Sequence, residues 1–160
     1  MGVTVSPIDD AAAQAFIFES LQRAGYAPRF DGTVIRVDGA GVGLGDHSVD
    51  LKVDVVSIDD TRVVRLFSEL RSEATFEVAS LAATRGNGAC TVTKFDVIEL
   101  PMKDHEHRFT VRASLVLYAD HLSEEEFTRM SWLYLRETDA IDNELEAVLE
   151  SSTVGRGTNS

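Results

Sequence analysis

The stretch Val49-Asp50-Leu51-Lys52-Val53-Asp54-Val55-Val56-Ser57-Ile58-Asp59-Asp60-Thr61-Arg62-Val63-Val64-Arg65-Leu66-Phe67-Ser68-Glu69-Leu70 decides the fold. Val49, Leu51, Val53 and Val55 alternate with Asp50, Lys52 and Asp54. That period of two puts one side of a strand in a core and the other in water. Residues 62–70 form a second strand, with Val64, Leu66 and Leu70 on one face and Arg65 and Glu69 on the other. Between the two, Ser57-Ile58-Asp59-Asp60 turns the chain, because Asp hydrogen-bonds its own backbone in tight turns. The pair reads as a hairpin, and a hairpin with one wet face belongs to an antiparallel sheet.

Toward the N-terminus, Gly39-Ala40-Gly41-Val42-Gly43-Leu44-Gly45 reads as a loop, preceded by short strands at 33–37 and 29–31 around Asp31-Gly32. Before them lies a helix. Ser6-Pro7-Ile8-Asp9 supplies its start, Ala13, Ile17, Leu21 and Ala24 share one face, and Gly25 ends it in the left-handed conformation that glycine adopts freely. Toward the C-terminus, 74–85 is helical by the spacing of Phe76, Ala79 and Ala83, and Gly86-Asn87-Gly88 stops it. Strands at 90–100 and 107–119 follow, joined by the polar stretch 101–106. Ser123-Glu124-Glu125-Glu126 then forms a capping box, with Leu122 and Phe127 at the staple positions. Phe127, Met130, Tyr134, Ile141, Leu145 and Val148 continue it as an amphipathic helix. The predicted architecture is α+β, an antiparallel sheet with three helices in the order α-β-β-β-β-α-β-β-α. It forms one domain over 6–150, and 151–160 reads as a disordered tail.

Composition narrows the function. The 160 residues carry 15 Lys and Arg against 27 Asp and Glu, a net charge of −12. Such a chain lacks the basic face that sequence-independent binding to nucleic acid or an anionic bilayer requires. Neither a signal peptide nor an apolar run of the ~20 residues needed to span a bilayer is visible. The single cysteine, Cys90, rules out an intramolecular disulfide and suits a reducing, cytoplasmic compartment.

Catalytic and ligand motifs are weak. Gly39, Gly41, Gly43 and Gly45 alternate, but no helix follows as a dinucleotide fingerprint demands. His105 and His107 in Asp104-His105-Glu106-His107 face the same way in an extended backbone. His121 lies some 40 Å along the strand at ~3.3 Å per residue, so a shared metal is not expected. Asp59-Asp60 belongs to a turn, and Glu124, Glu125 and Glu126 to a helix cap. No catalytic residue, cofactor or metal is expected. Trp132 and Tyr134, with Phe127, offer a pocket between the sheet and the last helix, the basis of an alternative reading as a small-molecule binder or enzyme. Arg36, Arg65 and Arg112, interspersed with Asp50, Asp54, Glu69 and Asp96, read as a solvated mixed-charge face.

In element order, and in Val78-Ala79-Ser80-Leu81, Asn87, Thr93-Lys94-Phe95, Leu115-Val116-Leu117-Tyr118 and Leu122-Ser123-Glu124-Glu125-Glu126-Phe127, the chain resembles the YbjN-type domain over about residues 9–149. That domain is similar in fold to the class I chaperones of bacterial type III secretion. The chain departs from the family in the Asn-rich, aromatic stretch after the middle helix, where it has only Asn87 amid glycines. The resemblance implies a non-enzymatic bacterial cytoplasmic protein, since YbjN-like proteins are described as candidate regulators of sensory transduction. It also implies a homodimer that holds a protein partner or client, a regulator or chaperone-like adaptor; the net charge of −12 is the reason that no nucleic-acid or membrane partner is expected. By analogy with the chaperones, the middle helix, at Phe76 and Leu81, is the expected place of self-association. A sheet with free edges is able to accept a partner's strand.

Overall fold

The hairpin that decides the sequence reading sits in the middle of the sheet. A computed structural model describes residues 10–41 and 48–157. Its elements are α1 (Asp10–Arg23), β1 (Arg29–Asp31), β2 (Val34–Gly41), β3 (Ser48–Ile58), β4 (Thr61–Glu69), α2 (Phe76–Ala89), β5 (Lys94–Lys103), β6 (Glu106–Tyr118) and α3 (Glu124–Gly157). The six strands form one antiparallel sheet in the order β1-β2-β3-β4-β6-β5. This is the α+β architecture and element order that the sequence predicts.

Turn chemistry sets the registers. β3 and β4 pair from Lys52↔Phe67 to Ile58↔Thr61 around Asp59 and Asp60, both left-handed with φ of 47° and 65°. Asp104 and His105, at φ 55° and 63°, connect β5 to β6 in the same way. Two consecutive positive φ values mark the type I′ turn, whose twist matches that of the strands it joins.

All three helices lie on one face of the sheet, α1 against β3, α2 against β5 and β6, and α3 against β3 and β6. Ile35, Leu51, Val53, Leu66, Phe95, Val111 and Ala113 supply the sheet's half of the core. Ile17 and Leu21, Ala79 and Ala83, and Phe127, Leu135 and Leu145 supply the helices' half. Among the described residues no helix lies on the other face of the sheet.

Several boundaries differ from expectation, each for a physical reason. α2 does not stop at Gly86-Asn87-Gly88 but runs to Ala89, capped at its start by Thr75 Oγ1 and closed by Cys90 N–H on Gly86 O. Gly86 serves packing rather than termination, because a Cβ there would lie 2.5 Å from the Phe95 ring. β5 begins at Lys94 rather than Cys90, since the amides of residues 91–93 bond to a side chain of α3. β2 continues through Gly39, at φ 66°, whose N–H donates to Asp50 Oδ1 at 2.9 Å, so part of the expected glycine loop is strand. α3 extends to Gly157, so residues 151–157 are helix where a disordered tail was expected. The expected start of the first helix at 6–9, the remainder of the glycine loop at 42–45 and the last three residues of the tail lie outside the described residues. Among the described residues no helix is long and apolar enough to cross a membrane.

Candidate functional site

The uncovered sheet face is built from alternate residues of the six strands. Its centre is ionic. Arg65 donates to both oxygens of Asp54, at 3.1 and 2.6 Å, across the β3–β4 pair. Arg112 reaches Glu69 at 3.0 Å, and Arg36 reaches Asp31 at 2.9 Å. Phe67 lies among these charges, with the Arg65 guanidinium 4.8 Å and Lys52 Nζ 5.8 Å from its ring centroid. The mixed-charge face expected from Arg36, Arg65 and Arg112 is therefore present as a set of paired ions.

One end of this face is apolar. Ile58, Val116 and Tyr118 are 56%, 53% and 73% exposed, and Val63 beneath them is buried. With Asp59 and Thr61 they line an open depression of about 470 Å³. The sequence carried a signal for this patch. An apolar residue beside another apolar residue in an alternating strand makes both faces apolar, and Val55-Val56, Val63-Val64 and Leu115-Val116-Leu117-Tyr118 do this on β3, β4 and β6.

Trp132 and Tyr134 do not share a pocket. Two residues apart on a helix lie on nearly opposite sides, and Tyr134 is fully buried with its hydroxyl donating to Ala113 O at 3.1 Å. Burial raises its phenol pKa well above the ordinary value. Trp132 faces outward, 42% exposed, with the Arg136 guanidinium 5.3 Å from its ring. It lines an open groove of about 670 Å³ with Arg23, Ala24, Glu124, Glu125, Thr128 and Arg129, between the end of α1 and the start of α3.

Phe76 and Leu81 on α2 are 55% and 46% exposed. Phe76 packs edge-on against Phe109 at 5.4 Å, and Leu81 borders a narrow crevice against α3 with Leu145 and Val148.

The remaining candidates are held in local structure. His107 Nδ1 lies 2.7 Å from Glu99, His105 occupies its turn, and His121 has a left-handed φ of 64°. Among the described residues no three His, Cys, Asp or Glu side chains group as metal ligands. Glu137 of α3 accepts from the amides of Thr91, Val92 and Thr93 and from the Thr93 hydroxyl. Burial works to raise its pKa, but these hydrogen bonds outweigh it and hold the carboxyl below its ordinary value. Next to this clasp, burial first and then Glu137 push the Cys90 thiol up to about 11, so it is protonated at neutral pH.

A six-stranded antiparallel sheet with three helices on one face defines a known class of α+β fold. No family model and no curated protein matches the chain. Among solved structures it is similar to YbjN from E. coli, described as a candidate transcription regulator. The TM-score is 0.57 and the identity 17%, over 84% of this chain and 92% of that one. At that identity the likeness shows a YbjN-like fold and nothing finer.

Proposed function

We propose that this chain is a non-enzymatic protein-binding module, a regulator or chaperone-like adaptor that acts by contact through the open face of its sheet. The observation that carries this reading is the exposed cluster of Ile58, Val116 and Tyr118 on a face that no helix among the described residues covers. An exposed apolar patch flanked by charged groups suits a protein interface, whose core is apolar and whose rim is polar. The charge distribution supports it. α3 carries nine acidic and two basic side chains between Glu124 and Glu150. The open face bears Arg29, Arg36, Lys52, Arg65, Lys94 and Arg112 against Asp31, Asp50, Asp54, Glu69 and Asp96, so it is nearly neutral. The acidity that keeps the protein soluble sits on the helix side and leaves the docking face free of net repulsion.

The test is co-purification of the tagged chain from its own host, wild type beside a Val116→Asp, Tyr118→Asp variant whose circular dichroism is unchanged. One stoichiometric protein retained in high salt by the wild type and lost from the variant is expected. Equal retention by both, or no protein with either, overturns the reading. The same reading makes the chain a bacterial, cytoplasmic homodimer joined through α2, where Phe76 and Leu81 stay partly exposed. Light scattering that finds a monomer at micromolar concentration removes the dimer.

A second reading, small-molecule binding, rests on Trp132 beside Arg23 and Arg129 in the α1–α3 groove. Titration of Trp132 fluorescence with a metabolite collection tests it, and silence throughout removes it.

A further inference from the structure

β6 is longer than the strand that covers its outer side. Its pairing with β4 runs to Val63↔Tyr118, and Ala119 N–H still donates to Arg62 O. Its pairing with β5 ends at Lys94↔Ser114, where the chain leaves the sheet so that residues 91–93 clasp Glu137. Alternation shows which way the backbone groups of β6 point. Phe109 exchanges both backbone hydrogen bonds with Ala74, and Val111 O accepts from Leu70 N–H, so the odd-numbered residues face the β4 side. The even-numbered residues, including Val116 and Tyr118, therefore face the β5 side. On β5, Asn87 binds both the N–H and the C=O of Phe95, which agrees with Phe95↔Ala113 being a pair that exchanges no ladder bonds. Among the described residues no strand pairs with β6 beyond Ser114 on this side. The N–H and C=O groups of Val116 and Tyr118 thus face an empty lane about four residues, or ~13 Å, long.

We infer that this lane is a strand-addition site for an extended segment of a partner protein, which continues the sheet beside Val116 and Tyr118. The inference rests on the open-face reading above and names how the partner is held. Four ladder groups at strand spacing fix an extended backbone as the occupant. Side chains of the added strand that project on the same face as Val116 and Tyr118 enlarge the apolar patch around Val63, so those two positions take β-branched or aromatic residues. Charge gives the direction. Exposed Lys94 stands at one end of the lane, and exposed Asp120, with the Asp59-Asp60 turn, at the other. A segment running antiparallel to β6 therefore carries a basic residue at its start and an acidic residue at its end.

The test uses the full chain and a capped peptide of sequence Lys-Thr-Val-Thr-Val-Thr-Glu, with hydrogen exchange read at individual amides. In the free protein the amides of Val116 and Tyr118 exchange rapidly. The peptide is expected to slow both at least tenfold, and N-methylation of its two valines to remove the effect. Protection of these amides without peptide means that the lane is already filled, by the chain itself or a second copy, and overturns the inference. No protection at millimolar peptide, or protection at Val97 and Glu99 of β5 instead, also overturns it. Binding that N-methylation leaves unchanged overturns strand addition but leaves apolar docking on the open face standing.

Discussion

Asn87 stands in for a neighbouring strand at Phe95: its Nδ2 donates to Phe95 O and its Oδ1 accepts from Phe95 N–H, both at 2.8 Å. An edge strand with unpaired ladder groups invites aggregation, and this amide closes the edge of β5 where α2 crosses it. Asn87→Ala removes both bonds and gains some helix propensity, so a net loss of about 1 kcal/mol is expected in urea denaturation. Asn87→Asp sets a carboxylate oxygen against Phe95 O and should be the more harmful of the two. Equal stabilities for wild type, Asn87→Ala and Asn87→Asp contradict this account.

Gly86 works on the same contact. A Cβ at this position meets Phe95 Cδ2 at 2.5 Å and Cε2 at 2.9 Å, and the ring is buried on all sides. In a free helix Gly→Ala gains about 1 kcal/mol. Here Gly86→Ala should instead destabilise by about 1–2 kcal/mol, because overpacking a filled core outweighs the propensity. A Gly86→Ala, Phe95→Leu double variant should recover part of the loss relative to the sum of the single changes, measured as a double-mutant cycle in urea. Strict additivity contradicts a direct clash.

Two carboxylates of α3 should respond to pH in opposite senses. Glu137 has a lowered folded pKa, so its contribution is present above the unfolded value of about 4.3 and is lost as pH falls through the lower folded value. Wild type should exceed Glu137→Gln in stability at pH 7, with the gap closing in acid. Asp142 has a raised folded pKa, mainly from burial, opposed by the Arg71 amide and guanidinium and reinforced by Glu146 and Asp139. Its contribution is full below the unfolded value of about 3.9 and is lost as pH rises through the folded value. Asp142→Asn keeps an acceptor for Arg71 N–H and should gain on wild type at pH 7, with the gain shrinking toward pH 3. Urea midpoints at both pH values check each pair.

The β3–β4 turn holds two aspartates at positive φ, where a Cβ is disfavoured by roughly 1–2 kcal/mol per residue. Replacing Asp59-Asp60 with Asn-Gly suits the type I′ geometry better. After the added freedom of glycine in the unfolded chain is subtracted, thermal stability should still rise by about 0.5 kcal/mol. A lower melting temperature would argue for a turn of another geometry.

Much of this was legible in the chain. Alternation at Val49–Val55 and at Val64–Leu70 shows the strands, because a half-buried strand has no other way to keep its polar residues wet. The Ser123 cap, whose Oγ accepts from Glu126 N–H at 3.1 Å, marks the start of α3 because that interaction is local. Phe76 and Leu81 were singled out from sequence, whereas the Ile58–Val116–Tyr118 cluster was not. Its members lie on β3 and β6, which β4 separates, and only the pairing of these strands brings them together.

What the sequence by itself determined is the set and order of elements, the turns between neighbouring strands and the separation of an apolar from a wet face. Each of these depends on side chains within a few residues of one another. What only the tertiary structure decided is the insertion of β6 between β4 and β5, the closeness of Gly86 to Phe95 and the end of β5 four residues short of Tyr118. These follow from packing α2 and α3 onto one side of the sheet, which pulls residues 91–93 toward Glu137 and leaves the last ladder groups of β6 without a strand neighbour among the described residues. No local pattern encodes a distance between elements, so the open lane is a property of the fold and not of any segment.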